Sequence, residues 1–112
     1  MLGNKENGIM GTIFNVMKEE YERLIEAEHV YRKNIAKMPK GSLRKKHLRH
    51  KDYLYLARRD GSKVVYDYVG NAQSDKAKEV TELVNKRKRF EVLLKEIKET
   101  LKDVKKVLRG KI

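Results

Sequence analysis

Nine basic side chains crowd into the 24 residues that run from Lys40 to Lys63: Lys40, Arg44, Lys45, Lys46, Arg49, Lys51, Arg58, Arg59 and Lys63. Groups of this type, close together and solvent-facing, hold phosphates, because each neutralised phosphate releases a condensed counterion. The same density of lysine also keeps edge strands from pairing with other sheets. Interleaved with the cluster are Tyr53, Tyr55, Tyr66 and Tyr68. Rings at alternate positions could stack on unpaired bases. A small sheet needs one covered face, so burial of these rings against the helices is the stronger expectation, with Tyr55 as part of the core.

Other chemistry is sparse. The three histidines are His29, His47 and His50, and only Asp52 lies near the last two as a further ligand, among basic neighbours that oppose a cation. Ser42, Ser62 and Ser74 suit turns and caps. Gly8 and Gly11 follow no strand and make no phosphate loop. No catalytic residue, metal site or cofactor is expected, and the chain reads as a non-enzyme.

The 112 residues carry 28 Lys+Arg against 16 Asp+Glu, a net charge of +12, and no cysteine. Disulfides and cysteine-based zinc sites are thereby excluded. The excess is polarised: residues 1–38 sum to zero, while 39–70 and 71–112 each carry +6. Such a surface attracts polyanions, which makes DNA or RNA the leading partner class. No apolar run approaches the roughly 20 residues of a membrane helix, and the N-terminus turns acidic before a signal-peptide block is complete. The expected setting is cytoplasmic, with no membrane partner.

These side chains need elements to position them. Phe14, Met17, Tyr21, Leu24, Tyr31, Ile35 and Met38 recur at spacings of three and four, with Glu28 in the intervening slot. That predicts a helix over about 12–38, stopped by Pro39 and Gly41, with Asn7 or Thr12 as its cap. Val80, Val84, Phe90, Leu94, Ile97, Leu101, Val104 and Leu108 repeat the rule, with Arg87 in one slot. They predict a helix over about 75–109, capped by Ser74 and ended by Gly110. Glu91 is placed to pair with Lys95 on its outer face. Between the helices, alternation on both sides of Asp60-Gly61 predicts a hairpin with a type I′ turn, pairing Tyr55 with Tyr66 and Tyr53 with Tyr68. Residues 42–50 add a third strand, with Leu43 and Leu48 on opposite faces unless a bulge intervenes.

The expected fold is α+β and a single domain: two long antiparallel coiled-coil helices joined through a small two- or three-stranded antiparallel sheet at the tip, over 42–69. Setting Glu28 level with Arg87 matches every apolar slot of one seam with an apolar slot of the other, including Ile35 with Val80 and Tyr31 with Val84. A charged pair of that kind sets register at some expense of stability. A homodimer is the alternative way to bury the two seams.

Residues 40 to about 95 resemble a family of small uncharacterised prokaryotic proteins. The resemblance rests on KGSL at 40–43, YLYL at 53–56, RRDGSKV at 58–64, YVG at 68–70 and RK at 87–88. His50-Lys51 stands where that pattern has a glycine before the aromatic strand. The resemblance implies the hairpin and the helix after it, and no activity. Composition and pattern together point to a nucleic-acid-binding or accessory protein, plausible as a regulator. The other reading is a protein-interaction module, antitoxin-like or a coiled-coil adaptor, whose charge keeps it in solution.

Overall fold

The computed structural model describes residues 2–109, with side chains described from Gly11 onward. The elements are α1 (Leu2–Ala36), β1 (Ser42–Leu48), β2 (Lys51–Asp60), β3 (Lys63–Asn71) and α2 (Asp75–Val107). The α+β class and the third strand are therefore present. Helix α1 starts at Leu2 and passes through Gly8 and Gly11, not at a cap on Asn7 or Thr12. A helical glycine costs about 1 kcal/mol, too little to stop a helix of this length. It ends in a tight turn, Lys37 N–H to Asn34 C=O and Met38 N–H to Ile35 C=O, both 3.1 Å, just before Pro39. Helix α2 starts as expected: the Ser74 hydroxyl accepts from Ala77 N–H at 3.1 Å and donates to the Asn71 carbonyl at 2.7 Å. The expected terminator, Gly110, lies outside the described residues.

The chain divides into two compact units, a helical one made of α1 to Lys33 with α2 from Val92 on, and a second spanning Asn34–Glu91. The second unit holds the antiparallel sheet, ordered β1-β2-β3. Its β2–β3 turn is Gly61-Ser62, one residue later than expected, with Asp60 paired to Lys63. Gly61 has φ +65° and Ser62 does not have a positive φ, so the turn is of the II′ kind with glycine first. The pairs become Tyr55 with Tyr68 and Ala57 with Tyr66. That shift moves partners by two positions and leaves every side chain on its expected face. Beyond Tyr68 the ladder slips at Leu54/Tyr55, so Val69 is the extra residue of a bulge.

One sheet face is aliphatic and covered. Leu54, Val69 and Ala77 form its buried core, with Leu43, Leu56 and Val80 packed against them. Ala77 and Val80, in the first two turns of α2, thus pack on the sheet, and this spends the N-terminal end of the α2 seam there. Arg87, 8% exposed, marks where that stretch ends. Its Nη1 donates to the Pro39 carbonyl and its Nη2 to the Gly41 carbonyl at 2.8 Å. Nε sits 3.1 Å from a Glu91 carboxylate oxygen, an ion pair without hydrogen-bond geometry. Gly41 is a glycine for two reasons: φ is +106°, and a Cβ there would lie 2.6 Å from the Ala57 carbonyl oxygen.

The expected Glu28–Arg87 pair is accordingly replaced. Arg87 is occupied by Pro39, Gly41 and Glu91, so that the ion pair of Glu91 is with Arg87 and not with the expected Lys95. Glu28 is bonded to Arg32 at 3.4 Å. In the helical unit the seam residues are the inward ones, with Leu24, Leu101 and Leu108 buried. There Glu28 and Ile25 border a cleft with Lys98, Leu101, Lys102 and Lys105. Leu101 is two heptads beyond Arg87. A seam that repeats every seven residues keeps its stripe when slid by whole heptads, so within the pattern only the charged pair selected a register, and Arg87 is satisfied elsewhere.

Candidate nucleic-acid interface

Strand alternation sorts the polar residues of the sheet. The face opposite the core carries Ser42, Arg44, Lys46 and Leu48 from β1, Lys51, Tyr53, Tyr55, Ala57 and Arg59 from β2, and Val64, Tyr66 and Tyr68 from β3. It holds four basic residues and no carboxylate. The three strand aspartates, Asp52, Asp60 and Asp67, all alternate to the core face together with Lys45, Arg58 and Lys63, so that face sums to zero.

Two of the core-face aspartates are paired with basic side chains. His47 Nδ1 is 2.6 Å from Asp52 Oδ1. Arg58 Nε donates to Asp67 Oδ2 at 2.6 Å, and that bond raises the guanidinium pKa above its ordinary value. Asp60 and Lys63 are paired positions across the turn. Of the nine residues expected to form one patch, the structure gathers Arg44, Lys46, Lys51 and Arg59 on the tyrosine face and adds Arg49 at its edge. Lys40 is exposed in the loop before β1. Arg58 and Lys63 belong to the other face. Lys45 alternates that way too, though on the edge strand it still borders a tyrosine-face cleft. Sequence patterning placed all nine in one cluster because it did not separate odd from even positions across strands.

The tyrosines overturn the expectation of burial. Tyr66 and Tyr68 are 61% and 59% exposed, and Tyr53 and Tyr55 are half-buried. The helix covers the aliphatic face instead, because Leu54, Leu56 and Val69 have no polar atom to satisfy there. The rings form a chain across the strands, Tyr55 to Tyr68 at 5.3 Å between centroids and Tyr53 to Tyr68 at 6.3 Å, both tilted. Two open clefts flank it. One is lined by Arg44, Lys45, Lys46, Tyr55 and Tyr66, the other by Leu48, Arg49, Tyr53, Tyr55 and Tyr68.

The turn that supplies Arg49 is unusual. Arg49 and His50 have φ of +48° and +70°, the pairing of a type I′ turn without its usual Asn-Gly. This is the place where a glycine was expected from the family pattern. Each non-glycine residue in that region costs roughly 1 kcal/mol or more.

Among the described residues no group of three or more His, Asp or Glu stands together as a metal site, and no helix is long and apolar enough to cross a membrane. No curated protein and no solved structure matches the chain. The glycines of KGSL and YVG have structural roles here: Gly41 meets β2 and Arg87, and Gly70, at φ +152°, lies beside the Ser74 cap. A family match covers residues 15–79, from α1 through the whole sheet to the first turn of α2, and so the chain belongs to the family described as a domain of unknown function, DUF6788.

Proposed function

We propose that the protein is a small non-enzymatic nucleic-acid-binding or accessory protein of the cytoplasm that lays the tyrosine face of its sheet along a phosphate backbone. The observation that carries this is the segregation of charge. The strand basic residues divide four to three between the faces, but all three strand aspartates lie on the core face, and charge placed only for solubility or to guard a sheet edge has no reason to leave one face without acids. An acid-free face bearing Arg44, Lys46, Lys51 and Arg59, with Arg49 at its edge, is complementary to a polyanion.

The test is a salt titration of oligonucleotide binding. Affinity should fall linearly on a log–log plot, and replacing Arg44 and Lys46 by glutamine should lower the slope by about 1.4 to 1.8, the loss of two phosphate contacts. Arg58→Gln with Lys63→Gln, on the opposite face, should leave it unchanged. Equal losses from both pairs would refute the assignment to one face, and a salt-insensitive protein partner would favour an interaction module. That second reading has its own observation: Ile13, Val16, Val92 and Val107 of the helical unit are 51%, 59%, 58% and 64% exposed.

A further inference from the structure

We infer that the tyrosine face takes a single strand, with unpaired bases stacked on Tyr68, Tyr66 and Tyr55 while the basic residues hold the phosphates. The inference rests on the nucleic-acid reading and adds the class of ligand. Basic residues alone would serve a duplex equally well. Four tyrosines on the same face would not be needed there, since in a duplex the bases are already stacked on one another and present only their edges in the grooves.

The arrangement suits alternating base and phosphate. Tyr55 stands between the two clefts and lines both, and each cleft pairs tyrosine rings with basic groups supplied by β1 or its turn. Tyr66 and Tyr68 are more than half exposed, which leaves ring surface free for a base. The rings are tilted at 46° and 59° to one another rather than stacked face to face, so they do not consume each other's faces. Aromatic platforms of this kind accept any base, because every base has a π-face. The backbone adds a separate pointer. Arg49 is held in a left-handed conformation that Asn-Gly would adopt without strain, and it lines one cleft together with Tyr53, Tyr55 and Tyr68. Strain kept at such a position is characteristic of binding sites. Unpaired bases on a phosphodiester chain are common to RNA and single-stranded DNA, and the shared chemistry is what the face would recognise.

The experiment compares, on the full chain, labelled ribo- and deoxyribo-oligonucleotides of about a dozen residues with their duplex and with an abasic strand of equal length and charge. Binding is read by anisotropy and by tyrosine emission, which reports directly because the chain has no tryptophan. The single strands should bind at least about tenfold more tightly than the abasic strand and the duplex, and only they should quench the tyrosines. Tyr68→Ala should weaken single-strand binding by about 5- to 150-fold, the stacking of one base, and leave the abasic strand unaffected. Tyr68→Phe keeps the ring and should keep the affinity. Whichever sugar binds more tightly identifies the source. Abasic and natural strands bound within twofold of each other, or Tyr68→Ala weakening both alike, would overturn the stacking inference while the phosphate reading stands. If no oligonucleotide binds at low salt, both readings fall.

Discussion

Arg87 is the residue on which the junction between helix α2 and the loop before the sheet depends. Its two Nη groups hold the carbonyls of Pro39 and Gly41, at 8% exposure. Each hydrogen bond from a charged donor contributes about 1.5–3 kcal/mol, so the gross loss on removing both is about 3–6 kcal/mol. The two acceptor residues are only half-buried, and methionine retains much of the packing of the arginine stem. Water and packing therefore recover part of the loss, and Arg87→Met should destabilise the protein by about 3 kcal/mol, at the low end of that range. Arg87→Lys, a single point charge facing two carbonyls, should recover about half. Glu91→Gln should cost less than about 1 kcal/mol, because the Glu91 side chain is 51% exposed. Urea unfolding followed by circular dichroism measures all three, and in a thermal melt Arg87→Met should lower Tm by roughly 10 °C. Stability within about 0.5 kcal/mol of the parent would refute the clamp. A double-mutant cycle with Glu28→Leu adds a second criterion. Each residue has its own partners, so the changes should be additive within about 0.5 kcal/mol, and a coupling above about 1 kcal/mol would restore the seam pair.

Three further outcomes follow from the same geometry. Gly41→Ala should destabilise by about 1–3 kcal/mol in the same unfolding assay, since it combines a positive φ with a Cβ 2.6 Å from the Ala57 carbonyl oxygen. Replacing Arg49-His50 by Asn-Gly should stabilise by about 1–2 kcal/mol by relieving both left-handed residues, while weakening nucleic-acid binding through the lost Arg49 charge. Leu54→Ala should cost about 2–5 kcal/mol, whereas Tyr66→Ala should cost less than about 1 kcal/mol; the reverse order would mean that the wrong sheet face has been taken as the core.

The amino-acid sequence by itself determined the elements. Periods of three and four marked both helices and even the inward positions of each, because a helix displays its burial along one stripe whatever lies opposite it. Alternation around a glycine turn marked the hairpin, and placed Tyr53, Tyr55, Tyr66 and Tyr68 on one face, since a two-position change of pairing does not alter which face a side chain occupies. Ser74 announced its own cap. Register and coverage were decided only in three dimensions. A heptad seam keeps its stripe when slid by whole heptads, and that Ala77 and Val80 are spent on the sheet is a contact between residues distant in the chain, which no local pattern encodes. Which sheet face the helix would cover was likewise open, because tyrosine and leucine are both hydrophobic enough for a core. Covering Leu54 and Val69 leaves no hydroxyl to satisfy, and it left the tyrosines in solvent. The segregation of the three aspartates from Arg44, Lys46, Lys51 and Arg59 was present in the alternation all along, but it acquired meaning only once one face was closed and the other open.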